Sequence, residues 1–358
     1  MRSACFAYRK TGRAWFRLIF ACLNFQVTKF GANTNILGVK MKKFCTLILA
    51  LITLITCFGA ISCDKKEKSD KISVVCTVFP VYDWVKSLTK DSDEYSVELL
   101  MKDKTDMHSF QPSVADIATI AESDVFIYVG GESDKWVEKT LQNVGKNVKP
   151  LSLMQLLGDK ARDEEHIGEE HDRDEEEHEK DEHIWLSVKN AAYLCGKLAE
   201  ELKSLGKDAT KIAENAAAYY DKLAAVDSEY AAACKTAKYH TLVFGDRFPF
   251  LYLVKDYKLD YSAAFSGCSA ETEASFETII SLAKKVDELG LPAIIKIDGS
   301  THEIAETVKA NTVNKNQKII ILNSMQSATL KDAESGVNYI DIMRENLAAL
   351  KIALEAEI

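Results

Sequence analysis

Two histidines in this chain stand where an imidazole could serve as a metal ligand. His108 lies in Met107-His108-Ser109-Phe110-Gln111-Pro112-Ser113, after a strand-like run and just ahead of a helix that Ser113 can cap. That is the strand-end rim where open α/β sheets bind ligands. His183 lies in Asp181-Glu182-His183-Ile184-Trp185-Leu186-Ser187, where an acidic stretch ends and a helix begins. A neutral imidazole offers a lone pair to zinc at about 2.0 to 2.1 Å, and the ligands of a folded site usually come from separate elements. Taken singly, each fits a surface or hydrogen-bonded histidine as well as a ligand, because isolated motif matches carry false positives.

The segment from Asp159 to Glu182 is dominated by Asp and Glu and holds His166, His171 and His178. With few apolar residues it is expected to be a mobile surface loop. It reads either as a weak, exposed collector of cations or as a solvated charged linker. The whole chain carries a net charge of −9. Such an acid excess argues against nucleic acid or an anionic surface as the main partner, since both attract Lys and Arg. No H-E-x-x-H or G-x-S-x-G motif is present, which disfavours a zinc enzyme or a serine hydrolase. His240, beginning a strand, and His302, opening a helix, are expected to be exposed or hydrogen-bonded.

The elements that must hold these residues follow an α/β grammar. Ile72–Val78, Tyr95–Leu100 and Val125–Val129 read as strands, and Val81–Leu88 as a helix. This alternation favours a parallel sheet covered by helices. Ser113 with Asp116 forms a capping-box pattern, and Val114, Ile117, Ala118 and Ala121 fall on one face of the helix that follows. A helix from Val188 precedes a longer one from Ala209 to about Cys234. Along the latter, Ile212, Ala216, Tyr219, Leu223, Val226, Tyr230 and Ala233 form one stripe. Thr241–Phe244, Tyr261–Phe265, Ala293–Ile297 and Lys318–Leu322 read as strands of a second half. A helix from Glu273 to Leu289 with Phe276, Ile279, Ile280, Ala283 and Val286 lining one side is stopped by Gly290 and Pro292. A closing helix carries Ile340, Met343, Leu347 and Leu350. The expected fold is α/β with two similar lobes, each a mostly parallel sheet flanked by helices, joined by one long rigid helix.

The first forty residues show no sustained period, and Met41 reads as the true start. Lys42 and Lys43 then supply a positive region, and Thr46–Phe58 an apolar run short for a membrane span, as in a signal peptide. An uncleaved membrane anchor is the alternative. Ala60-Ile61-Ser62-Cys63 matches the small-residue context of a bacterial lipobox and marks Cys63 as the lipid attachment site, placing the remainder outside the cytoplasm. The expected divisions are 1–40 outside the product, a signal peptide at 41–62 and a tether at 63–71. A metal-binding lobe at 72–187 includes the acidic loop, linking helices occupy 188–238, and a C-terminal lobe covers 239–358. Cys76, Cys195, Cys234 and Cys268 show no C-x-x-C spacing, so no thiolate zinc cage is expected. Buried thiols are the simplest expectation, with a Cys234–Cys268 disulfide as an alternative.

From about Ile72 to Leu350 the chain resembles the cluster A-I substrate-binding proteins of ABC importers for zinc and manganese. His108-Ser109-Phe110-Gln111-Pro112-Ser113 resembles that family's first histidine loop. Glu182-His183-Ile184-Trp185-Leu186 is similar to its Asp-Pro-His-x-Trp-Leu, with Glu182 at the proline position. The 159–182 segment resembles the acidic histidine loop of zinc-handling members. The resemblance implies a two-lobed receptor that captures zinc, or else manganese, and passes it to an ABC permease without performing chemistry. It implies membrane association through the lipid and no nucleic-acid partner, and a monomer is expected. A surface adhesin using the same fold is the alternative. It also implies His108 and His183 as ligands. The family's third ligand position falls on Gly245, leaving Asp246 next to it as a carboxylate donor that could instead cap a helix or pair with Arg247. The fourth falls on Asn323, a neutral oxygen donor, and Asp298 and Glu271 are further carboxylate candidates. Two imidazoles with one or two oxygens suit Zn²⁺.

Overall fold

The computed structural model describes residues 70–145, 147–165, 179–267, 274–300 and 303–356. Met41, the apolar leader, Cys63, most of the tether, the three loop histidines, Cys268, Glu271, Glu273 and His302 lie outside the described residues.

The first half builds β1 (Ile72–Cys76), α1 (Phe79–Leu88), β2 (Tyr95–Leu99), α2 (Val114–Glu122), β3 (Val125–Tyr128), α3 (Lys135–Val144), β4 (Lys149–Ser152) and α4 (Leu153–Leu157). Then come α5 (Val188–Leu205) and the 28-residue α6 (Ala209–Thr236). The second half builds β5 (Thr241–Phe248), α7 (Leu251–Tyr257), β6 (Asp260–Ser266), α8 (Phe276–Leu289), β7 (Ala293–Ile297), α9 (Glu303–Ala310) and β8 (Lys318–Leu322). The short α10 (Leu330–Glu334) and the closing α11 (Tyr339–Leu354) complete it.

Two four-stranded sheets result, ordered β2-β1-β3-β4 and β6-β5-β7-β8, with every pairing parallel. The second repeats the first strand for strand. Parallel strands covered on both faces need near-continuous apolar runs. Val74, Val75 and Cys76 are all buried, and so is every residue of Ala293–Ile297. In each sheet the chain reverses direction of progress between the first-formed strand and its third, and crevices for ligands open there at the carboxyl ends.

The long helix α6 links the lobes. Its stripe of Ile212, Tyr219, Leu223, Val226, Tyr230 and Ala233 is buried, against α5, α1 and α11. Tyr230 Oη donates to the Met343 carbonyl at 2.7 Å, tying α6 to the closing helix, whose Ile340, Met343, Leu347 and Leu350 are also buried. Cys76, Cys195 and Cys234 are buried. His240 is exposed.

The structure decides which side two helices bury and corrects the end of one strand. The capping box of Ser113 and Asp116 forms, but α2 buries Ile120, and Val114 is 86% exposed. On α8, capped by Ser275, the inner residues are Leu282, Ala283 and Val286, while Phe276 and Ile280 face solvent. Strand β5 runs on to Phe248, with an irregularity in its pairing to β6 between Phe244 and Arg247. Gly245, Asp246 and Arg247 are therefore strand residues.

Candidate metal centre

The groups of interest are carried by strand ends, turns and the end of the acidic segment. His108 occupies a single 3₁₀ turn, Met107–Ser109, beyond β2. Asp106 holds that turn, its Oδ1 accepting from the His108 backbone N–H at 3.0 Å. Beyond β3, Gly130 and Gly131 turn the chain with φ of 94° and 92°, a conformation open to glycine, and deliver Ser133. His183 follows the acidic segment and precedes the 3₁₀ turn Ile184–Leu186. Asp181 Oδ1 accepts from the His183 backbone N–H at 2.8 Å, repeating the arrangement at His108.

The outer nitrogens of both rings are committed. His183 Nδ1 lies 3.1 Å from Asp181 Oδ1, an acceptor, and so carries the proton. His108 Nδ1 lies 2.7 Å from Ser133 Oγ, and that hydroxyl spends its own proton on Glu182 Oε2. Ser133 N–H donates to Glu182 Oε1 at 2.8 Å. The hydroxyl must then accept, which assigns the Nδ1–H tautomer to His108 as well. Two Nε2 lone pairs consequently face each other 3.2 Å apart. Two nitrogens bound tetrahedrally to one ion at about 2.0 to 2.1 Å would stand about 3.3 Å apart. Burial, helped by the adjacent His183 ring, pulls the His108 imidazole down to about 4, so it is neutral at ordinary pH. Burial also raises the Glu182 carboxyl, against the two Ser133 bonds that lower it.

His183 is fully buried and His108 forms the wall. Trp185 packs edge-on against His183 with ring centroids 5.5 Å apart, and its indole N–H donates to the Ser324 carbonyl of the second lobe at 2.9 Å. Tyr252 of α7 donates to the Asp181 carbonyl at 2.9 Å. The described ends of the acidic segment are joined to each other: Asp163 bridges Lys180, and Asp181 N–H donates to the Arg162 carbonyl at 3.0 Å.

A cavity of about 570 Å³ opens in front of His108, with Asp106, Asp246, Arg247, Asp298 and Ser324 in its walls. Asp246 neither caps α7 nor pairs with the Arg247 guanidinium. Its oxygens accept from the backbone N–H of Arg247 at 2.9 Å and of Ile297 at 3.2 Å. Asp298 accepts from Ser324 N–H at 2.5 Å, from Ser324 Oγ at 2.7 Å and from Ser327 Oγ. Asn323 Oδ1 accepts from Met325 N–H at 2.8 Å, and the residue is not among the cavity walls. Gly245 packs on α9: a Cβ there would stand 2.5 Å from Ala305 Cα. Among the described residues no group of three or more His, Cys, Asp or Glu side chains comes together to hold an ion. The histidine pair is assembled; the second-lobe oxygens are not drawn up to it.

Sequence reading missed the supports: Asp106, Asp181, Glu182, Ser133 and Arg247. One signal was available, the repeated Asp-x-His of Asp106-Met107-His108 and Asp181-Glu182-His183. Nothing local points to Ser133 or Arg247.

Comparison with known proteins agrees in its direction. The family model for the periplasmic zinc-uptake complex component A matches residues 74–353. The zinc-binding lipoprotein AdcA of Streptococcus pneumoniae is 32% identical over 325 residues, covering 88% of this chain and 62% of that protein. The chain thus spans less than two thirds of that relative. The high-affinity zinc uptake system protein ZnuA of Bacillus subtilis is 28% identical over 296 residues, covering 80% of this chain and 89% of that protein. The Zn(II)-bound ZnuA-like domain of S. pneumoniae AdcA superposes with a TM-score of 0.63 at 29% identity, over 80% of this chain and 99% of that one.

Proposed function

The chain belongs to the zinc-uptake complex component A family, and from that premise we propose that it captures a divalent ion outside the cytoplasm and delivers it to an ABC importer. Zinc is the ion favoured, with manganese second, because two imidazoles form a borderline-soft donor pair. His108 and His183 are the ligands of this reading. Asp246 and then Asn323 are its second-lobe oxygen donors, each to be released from a backbone N–H as the lobes adjust. Cys63 would carry the lipid that holds this single-chain receptor beside its permease.

The observation that carries the reading is the 3.2 Å approach of two imidazole Nε2 atoms whose other nitrogens are both committed as donors. Two facing lone pairs repel, and a shared cation removes that repulsion. In a competition titration against a chromophoric chelator, the protein should bind about one zinc tightly. His108→Ala and His183→Ala should each weaken binding by more than the 10- to 100-fold that loss of an outer hydrogen-bond partner costs. Undiminished affinity in both variants would overturn the assignment.

A further inference from the structure

Glu182 stands where the resembled motif has proline, and it is 1% exposed. A buried carboxylate is costly unless something compensates it. Among the described residues its hydrogen bonds come from Ser133 N–H and Oγ. No lysine or arginine pairs with it among the described residues, and its nearest cationic prospect is the His108 ring, with Nδ1 3.7 Å from Oε2. The backbone accommodates it through Gly131, where any Cβ would collide with the Glu182 carboxylate. Asp181, also 1% exposed, occupies the equivalent place behind His183.

We propose that Glu182 and Ser133 are positioning residues that act through His108. The carboxylate, relayed by the hydroxyl, holds His108 in its Nδ1–H tautomer. With Asp181 it also supplies two buried negative charges that a divalent ion at the imidazole pair neutralises. The inference deepens the reading of His108 and His183 as ligands and rests on it. Its physical content is a charge match: two neutral rings backed by two carboxylates form a site balanced when a dication enters. Hydrogen bonding of this kind also raises the basicity of a ligating ring.

The test uses the full chain with Ser133→Ala, Ser133→Thr and Glu182→Gln. Long-range proton–nitrogen spectra of the metal-free protein at pH 7 read the His108 tautomer, and chelator competition reads zinc affinity. Ser133→Ala should give a mixture of His108 tautomers and a 10- to 100-fold loss of zinc affinity, and Ser133→Thr should restore both. Glu182→Gln should disturb the tautomer as well as lose affinity, since one amide oxygen cannot accept both Ser133 bonds and the charge is gone. Wild-type tautomer in Ser133→Ala, or wild-type affinity in both Ser133→Ala and Glu182→Gln, overturns the proposal. If Glu182→Gln fails to fold, the two Ser133 variants decide. Because the spectra need no metal, a wild-type chain that binds no zinc would sink the transport reading while leaving the relay to be judged by its tautomer.

Discussion

Arg247 Nη1, from the second lobe, donates to Asp106 Oδ2 at 3.0 Å, while Oδ1 of the same carboxylate accepts from the backbone N–H of His108. One side chain therefore joins the position of the His108 imidazole to the approach of the opposite lobe. Burial would raise the Asp106 carboxyl, but the Arg247 guanidinium and the His108 N–H outweigh it and hold it below the usual range. Both partners are partly exposed, so solvent screens the pair. A double-mutant cycle of Asp106→Ala and Arg247→Ala, read by chemical denaturation, should give a coupling of about 0.2 to 1 kcal/mol. Strict additivity would show that the contact contributes nothing across the cleft.

Gly245 is where the resemblance sought a third ligand, and Ala305 of α9 explains why a side chain is excluded. The atoms a Cβ would meet are Ala305 Cα, Cβ and N at 2.5, 2.9 and 2.9 Å, and helix backbone yields little. Gly245→His should lower stability by about 1 to 3 kcal/mol, the range of core overpacking, and leave zinc affinity no tighter. A normal melting temperature with stronger zinc binding would show that the strand can present a ligand there.

The acidic segment and the tight site meet at Asp181, so the two are separable only by a cut that spares it. Removing residues 166–178 should abolish weak additional zinc binding and leave the tight site unchanged in isothermal titration. Removing 159–182 takes away Asp181 and Glu182 and should cost at least the 10- to 100-fold of lost outer-sphere partners. Equal behaviour of the two deletions would contradict the described geometry.

Asp83 of α1 is a half-buried acid at the junction of α1, α6 and α11, accepting from Tyr339 N–H at 3.1 Å and Tyr219 Oη at 3.3 Å. Burial pushes it up to about 6, the two hydrogen bonds only partly opposing. A folded value above the unfolded one, near 3.9, means that ionising Asp83 disfavours the fold. Its favourable contribution is complete below about pH 4 and is lost as pH rises through about 6. The permanently neutral Asp83→Asn should thus exceed wild type by up to about 3 kcal/mol at pH 8, with no advantage at pH 4. A pH-independent difference in urea unfolding would refute this.

Much of the fold could be read in the residues because its causes are local. The β-branched runs around Val74 and Ile295 mark strands buried on both faces, and the stripe from Ile212 to Ala233 marks α6. Ser113 with Asp116 and Gly290 mark helix ends. Which residues of α2 and α8 are buried was not legible, because apolar content says how much a helix can bury, while neighbouring layers decide which side does. Strand β5 was cut short at Phe244 because Gly245 and Asp246 are poor strand formers, and the strand is carried on here by pairing of Arg247 and Phe248 with β6.

The sequence by itself determined the alternating parallel architecture, the linking helix and the two histidines, since periodicity and short motifs are properties of neighbouring residues. Only the tertiary structure decided that rings 75 residues apart meet Nε2 to Nε2, that Ser133 and Glu182 orient one of them, and that Arg247 reaches Asp106. Those contacts depend on where separate strand ends are brought by packing, and no spacing along the chain encodes a distance between segments that touch only after both sheets have closed over their helices.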